Sequence, residues 1–212
     1  PTVVEAFTAL AELRRQGKIR HVGVSNFAGN RLEEALRIFP NIAVNQLPYS
    51  LLTRAVELDI LPRCRRLGIG VIGYMTLLQG VLTDRYPTLD DVPPYQARTR
   101  HFSSRRSKLI RHGENGAEEE TAQALAGIRQ IAREAGMTTA ELAIKWALAE
   151  KGICCCLIGA RKAAKLDANV RAMAGPLSPD IIRALNAVTQ PLLEKLGDGF
   201  DYYESVANDR TR

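Results

Sequence analysis

Four groups of polar residues fall where apolar, β-branched runs give way to turns: Ser25-Asn26, Gln46, Tyr74 and Gly159-Ala160-Arg161. Sites on parallel α/β cores are built by the loops that follow the carboxyl ends of the strands, so this placement predicts a cofactor-binding face. Ser, Asn and Gln side chains both donate and accept hydrogen bonds without carrying charge, which suits a neutral ligand group. A tyrosine ring adds a flat surface for stacking. The turn from Thr76 to Thr83 contains Gly80, whose missing side chain lets a backbone come close to a ligand. Leu77, Leu78, Val81 and Leu82 in the same turn equally fit a short packed helix. Arg161, Lys162 and Lys165 supply positive charge for a phosphate, or form an ordinary solvated surface.

The elements that must position these residues follow a strand–helix rhythm. Thr2 and Glu5 have capping-box spacing, with Val3, Phe7, Leu10 and Leu13 at helical intervals, so a helix is expected that Gly17 stops near Gln16. A strand over Ile19 to Val24 comes next, then a helix opened by Asn30 and Glu33 that carries Leu32, Ala35, Leu36 and Phe39. A second strand spans Ile42 to Leu47. A helix over Ala55 to Leu67, with Leu58, Leu61 and Cys64 turned inward, leads to a third strand over Ile69 to Tyr74. Residues 80–118 interrupt the rhythm with Pro87, Pro93, Pro94 and many charges; a connection of that length is more often functional or mobile than passive. Helix resumes over Glu119 to Glu134, and Thr138 with Glu141 caps another that carries Ala140, Ala143, Ile144, Ala147 and Leu148. Ile153 to Ile158 reads as a strand buried on both faces. A short helix with Leu166 and Val170, a helix from Ser178-Pro179 to Leu193, and a tail over 197–212 complete the chain.

Four strands of one parallel series leave two open edges, whereas a closed (βα)8 barrel needs eight strands. The expected architecture is α/β: residues 1–212 form the C-terminal half of a (β/α)8 TIM barrel from a longer chain, with the irregular insert 80–118 and the tail 197–212. The composition, 46% hydrophobic and 25% charged over 212 residues, supports one sizeable core and excludes a disordered chain. No run approaches the roughly 20 apolar residues of a membrane span, and no basic-then-apolar leader opens the chain, so a soluble cytoplasmic protein is expected. A net charge of +6 favours a phosphate-bearing ligand. Nucleic acid is not expected, because zinc-finger spacing, a base-stacking ribbon and a long basic helix are all missing. Cys64, Cys154, Cys155 and Cys156 show no CxxC spacing, and consecutive strand residues face opposite ways. They read as small buried cysteines of a reducing compartment, with no metal.

The segment Gly17-Lys18-Ile19-Arg20-His21-Val22-Gly23-Val24-Ser25-Asn26-Phe27 resembles the aldo-keto reductases. The likeness continues through Asn45-Gln46-Leu47-Pro48-Tyr49-Ser50, Tyr74 to Leu82, Trp146-Ala147-Leu148 and Ile158 to Val170. This resemblance implies a single (β/α)8 barrel that uses NADP, or alternatively NAD, to interconvert a small-molecule carbonyl and its alcohol. Aldehydes, ketones and sugars all fit that description, and a complete barrel would be a monomer or a weak homo-oligomer. By the same resemblance Ser25, Asn26 and Gln46 match the residues that hold the nicotinamide carboxamide, and Tyr74 the ring on which the nicotinamide rests. Met75, Thr76, Leu77, Gln79, Gly80 and Leu82 match the turn beneath the pyrophosphate. Gly159, Ala160, Arg161, Lys165 and Asn169 match the adenosine end, where Arg161 and Lys165 would meet the 2′-phosphate.

Two positions depart from the family pattern: Met75 stands where Ser is common and Ala168 where Glu is common, and each loses a hydrogen-bonding group. The family's catalytic Tyr, with its Asp, Lys and His, belongs to the earlier half of the barrel, and no residue here aligns with them. Tyr49, Tyr86 and Tyr95 do not fill that place, since a general acid needs tuned neighbours. His21 is expected to pack in its strand, and His101 and His112 to lie on the surface. Arg98, Arg100, Arg105, Arg106, Lys108 and Arg111 of the insert read either as a cover for the pyrophosphate or as a solvated charge run. The segment alone is expected to be inactive. The rival reading is a non-enzymatic dinucleotide-binding or oligomeric interaction module without the catalytic group.

Overall fold

Four parallel strands form the centre of the computed structural model, which describes residues 2–211. They are β1 (Val22–Ser25), β2 (Ile42–Pro48), β3 (Gly70–Tyr74) and β4 (Ile153–Cys156), and they lie side by side in chain order. Helix α1 (Val3–Arg15) precedes β1, α2 (Gly29–Ile38) links β1 to β2, and α3 (Ile60–Arg66) links β2 to β3. Between β3 and β4 come the insert, α4 (Glu118–Glu134) and α5 (Thr139–Ala149); α6 (Ala163–Arg171) and α7 (Pro179–Leu196) follow β4.

The helix starts obey their caps. The Thr2 hydroxyl accepts the Glu5 N–H at 3.2 Å, and the Glu5 carboxylate accepts the Thr2 N–H at 2.8 Å. Thr138 accepts from the Glu141 N–H at 3.1 Å, and Ser178 from the Ile181 N–H at 3.3 Å. Helix α7 continues past Leu193 to Leu196, in spite of Pro191.

Side-chain alternation gives the sheet two unlike faces. Val22, Val24, Asn45, Leu47, Val71 and Ile153 are buried on the side covered by helices. The other side carries two rows in register, Gly23, Val44 and Gly70, then Ser25, Gln46 and Ile72. Val44 lies so close over Gly23 that a Cβ there would meet its Cγ2 at 2.7 Å. The polar members of the second row therefore stand on a sheet face that none of the described helices covers.

Several elements differ from the sequence expectation. Strand β1 starts at Val22 and not at Ile19, so His21 sits before the strand and is exposed. The expected helix over 55–67 is broken into a 3-10 turn, Ala55–Glu57, and α3. Pro62 explains the break: it has no N–H for the Leu58 carbonyl, and its ring crowds that carbonyl. Leu58 consequently ends up 55% exposed and not on an inner face. Strand β4 stops at Cys156, short of Ile158. Among the described strands it has one neighbour, β3, so Cys154 and Cys155 are exposed and only Cys64 is a buried cysteine. Helix α6 buries none of its residues, and Leu166 and Val170 lie open.

The insert is ordered by packing and not by periodicity. It holds three 3-10 turns, Leu78–Thr83, Leu89–Asp91 and Ser104–Arg106, around buried Ala97, Thr99, His101 and Phe102. Gly116, at φ 80°, closes against it so tightly that a Cβ would meet the Phe102 carbonyl carbon at 2.4 Å. His101 and His112 are buried and not on the surface. His101 Nε2 donates to the Leu52 carbonyl at 2.6 Å, so the Thr99 hydroxyl, 2.9 Å away, donates to its Nδ1. Burial pushes the His101 pKa down to about 4, and burial lowers that of His112 as well.

The insert's cations are partly spoken for. Arg100 is buried and binds Glu114 at 2.9 Å, the Leu196 carbonyl at 2.9 Å and the Gly199 carbonyl at 3.1 Å. Arg106 binds Glu118 at 2.5 Å, Asp90 at 2.7 Å and the Leu89 carbonyl at 2.7 Å, while Arg111 pairs with Glu204 at 2.9 Å. These three arginines are ion-paired and tie the insert to itself and to the tail, so they are not a freely solvated charge run.

Candidate functional site

Strand β1 ends at Ser25, and Asn26 leaves it in the left-handed region at φ 58°. The Asn26 N–H donates to the Gln46 carbonyl at 2.9 Å, and the Ser25 hydroxyl reaches the same oxygen at 3.3 Å. From the helix-covered side, fully buried Asn45 donates through Nδ2 to the Phe27 carbonyl at 2.9 Å and accepts the Phe27 N–H at 3.5 Å. Asn45 thus holds the segment that follows Ser25-Asn26. Sequence reasoning gave this residue no role, although a polar amide at an inward-facing position of an apolar strand was the available signal.

Tyr74 closes the group. It ends β3, pairs with Pro48 of β2, and its hydroxyl donates to Asn26 Oδ1 at 2.9 Å. Burial pushes the Tyr74 phenol up to about 12, partly offset by the bond to Asn26, so it stays protonated near neutral pH. Ser25, Asn26, Gln46 and Tyr74 therefore meet at one end of three adjacent strands, which is where the sequence put them.

Backbone strain concentrates beside them. Asn26, Met75, Leu78 and Gln79 are four of the five non-glycine residues with positive φ among the described residues. Such conformations cost on the order of 1 kcal/mol each and collect at ligand clamps and active sites. Gly80, at φ 100°, continues the turn. Thr76, Leu78, Val81 and Leu82 are buried and Leu77 half-buried, so packing and a tight backbone turn coexist here. Leu82 faces the core and could touch a ligand only through its main chain. The Gln79 amide donates to the Tyr203 hydroxyl of the tail.

The tail runs across the loops that follow β1, β2 and β3. The Ala28 N–H donates to the Thr211 carbonyl at 2.9 Å, and the Ala55 N–H to the Tyr202 hydroxyl at 3.1 Å. Asp201 grips Arg210 at 2.7 and 2.8 Å. Burial works to raise the Asp201 pKa, but Arg210 and the N–H groups of Tyr203 and Arg210 outweigh it and leave the carboxyl below its ordinary value.

The last group leaves the sheet next to Tyr74, since the Leu157 N–H donates to the Gly73 carbonyl at 2.7 Å. Gly159, Ala160, Arg161 and Lys165 are exposed and Asn169 is half-buried. Lys162 stands at the start of α6, whose first turn has no acidic residue and no side-chain cap. The helix N-terminus and three nearby cations make this surface positive and accessible.

A parallel half-barrel with its polar cluster at the carboxyl ends of the strands is one half of a recognisable enzyme scaffold. The family model described as Aldo/keto reductase family matches residues 1–190. The chain belongs to the aldo/keto reductase family.

Two curated relatives in this family carry the name Protein tas. The one from Escherichia coli K12 is 30% identical over 194 residues, covering 89% of this chain and 53% of that protein. The one from Shigella flexneri has the same identity and coverage. Among solved structures, the glycerol dehydrogenase of Gluconobacter oxydans matches with a TM-score of 0.74 and 25% identity, over 91% of this chain and 56% of its own. A thermostable aldo-keto reductase matches with a TM-score of 0.62 and 25% identity, over 89% and 55%. The chain thus spans about half the length of the relatives it matches, and its four strands correspond to part of the aldo/keto reductase barrel. No helix among the described residues is long and apolar enough to cross a membrane.

Proposed function

We propose that this chain is the dinucleotide-binding half of an NADP-dependent oxidoreductase that interconverts an aldehyde, ketone or sugar carbonyl with its alcohol. The observation that carries the reading is the meeting of Ser25, Asn26, Gln46 and Tyr74 at one end of β1, β2 and β3, with Tyr74 bonded to Asn26. In this reading the two amides and the Ser25 hydroxyl hold the nicotinamide carboxamide, and the Tyr74 ring covers one side of the nicotinamide. Met75, Thr76, Leu77, Gln79, Gly80 and the Leu82 main chain line the pyrophosphate. Gly159, Ala160 and Asn169 take the adenosine, while Arg161 and Lys165 take the 2′-phosphate.

The residues suit the ligand in their chemistry. Uncharged donors and acceptors stand at the end where a hydride is transferred, and exposed cations stand at the end where a phosphate distinguishes NADP from NAD. The dinucleotide supplies or accepts the hydride; the protein binds it, orients it and shields one of its faces. Proton transfer needs a further group, and Tyr49, Tyr86 and Tyr95 do not suit it. Tyr49 is fully buried, bonded to Glu57 at 3.0 Å and stacked on Trp146 at 5.1 Å. Tyr86 is buried and Tyr95 lies open in the insert. The proton donor of the whole enzyme is accordingly assigned to the other half of the barrel. A polyol is a candidate substrate, as glycerol is the compound named for the Gluconobacter oxydans relative.

Titration of the intact protein with NADPH and NADH tests this reading, followed by NADPH consumption over a panel of aldehydes, ketones and sugars. Replacing Arg161 and Lys165 with Ala is expected to weaken NADPH by roughly tenfold or more and to leave NADH unchanged, since one charge-assisted contact is worth about 1.5 kcal/mol. No dinucleotide binding and no carbonyl-dependent turnover would overturn it.

A further inference from the structure

We propose that the Tyr74 hydroxyl is a positioning group that decides which end of the Asn26 amide faces the ligand. The inference rests on the dinucleotide reading above and concerns the hydroxyl, whose role is separate from that of the ring. Asn26 has little backbone freedom: its N–H is bound to the Gln46 carbonyl at 2.9 Å, its φ is 58°, and the next residue, Phe27, is tied to Asn45 through its carbonyl at 2.9 Å. What remains free is rotation of the terminal amide, whose oxygen only accepts and whose nitrogen only donates. The Tyr74 O–H donates to Oδ1 at 2.9 Å, which turns Nδ2 and its two N–H groups away from Tyr74. Asn26 then offers donors to a ligand, the complement of a carbonyl oxygen.

The Tyr74 hydroxyl is well placed to keep this role. Its ring is half-buried at the end of β3, and the phenol remains a donor through the physiological range because burial raises its pKa to about 12. Removing the hydroxyl while retaining the ring separates orientation from stacking.

The experiment uses the intact protein, the Tyr74→Phe variant and three probes: NADP, its 3-acetylpyridine analogue and its 3-aminopyridine analogue. The first two carry a carbonyl on the pyridine ring, and the third does not. Tyr74→Phe is expected to weaken NADP and the acetylpyridine analogue about fivefold, the size of one neutral hydrogen bond, and to leave the aminopyridine analogue unchanged. Asn26→Gly tolerates the positive φ, and in that background Tyr74→Phe is expected to change nothing further. Equal weakening of all three probes, no weakening at all, or additive effects of the two substitutions would each overturn the proposal and leave the functional reading standing. Failure of the unaltered protein to bind any of the three would overturn both.

Discussion

Arg100 is the residue whose removal should do the most to separate the tail from the barrel. Its side chain is 6% exposed and bridges the insert to the end of α7 and the tail, through Glu114, the Leu196 carbonyl and the Gly199 carbonyl. Its own N–H adds a bond to the Tyr202 carbonyl at 2.7 Å, which survives a side-chain substitution. Arg100→Met keeps much of the apolar stem and deletes the charge. Two carbonyls then lose their donor, at about 1 kcal/mol or more each, and the Glu114 carboxylate loses its cation. Because Glu114 is 33% exposed, water recovers part of that last loss, so the pair is worth less than the 3–5 kcal/mol of a fully buried one. The sum is about 3 kcal/mol, a change on the order of a hundredfold in the local opening equilibrium. Hydrogen exchange on the intact protein reads it directly: amides over 197–211 should exchange on the order of a hundredfold faster, while those of β2 and β3 keep their protection. Tail amides that exchange as in the parent protein would show that the guanidinium does not hold the tail, and the argument would fail.

Stability should depend on pH through His101. Its pKa is about 4 in the folded chain against an ordinary 6.5, so the unfolded chain binds the extra proton between those values; stability is complete above pH 6.5 and falls as pH drops towards 4. The loss is about 3 kcal/mol across that window, and urea unfolding from pH 7 to pH 4 should show it, with a flatter profile in His101→Gln. Asn45→Leu strands the Phe27 carbonyl and N–H; it should cost about 2 kcal/mol in thermal unfolding and weaken dinucleotide binding by loosening Asn26. A melting temperature equal to the parent's would remove Asn45 from the account of the site.

The strand–helix order and the position of the polar cluster were readable because both depend on short-range rules. The capping box at Thr2 and the side-chain cap at Thr138 act over three residues, and strand alternation acts over two. Ser25-Asn26, Gln46 and Tyr74 stand at or near strand ends in the sequence, and parallel pairing then brings those ends together. The break before α3 was missed although its signal was present, since Pro62 disfavours the continuous helix expected from Ala55 to Leu67. The insert was not readable. Its arginines and histidines resemble surface residues until their partners are known, and those partners include Leu196, Gly199, Tyr202 and Glu204, roughly a hundred residues downstream for Arg100. The cysteines misled for a related reason. An apolar run predicts burial on both faces only if both faces and both edges are covered, and β4 has β3 as its one described neighbour.

Local chemistry in the amino-acid order was enough to determine the parallel half-barrel, its family likeness and the residues gathered at its carboxyl end. Tertiary structure alone decided that Tyr74 bonds to Asn26, that Asn45 braces the turn behind them, and that the insert and tail lock together through Arg100. The division has a physical cause. Secondary structure and strand-end placement follow from neighbours a few residues apart, whereas a buried polar side chain is satisfied by whichever distant group the fold delivers to it.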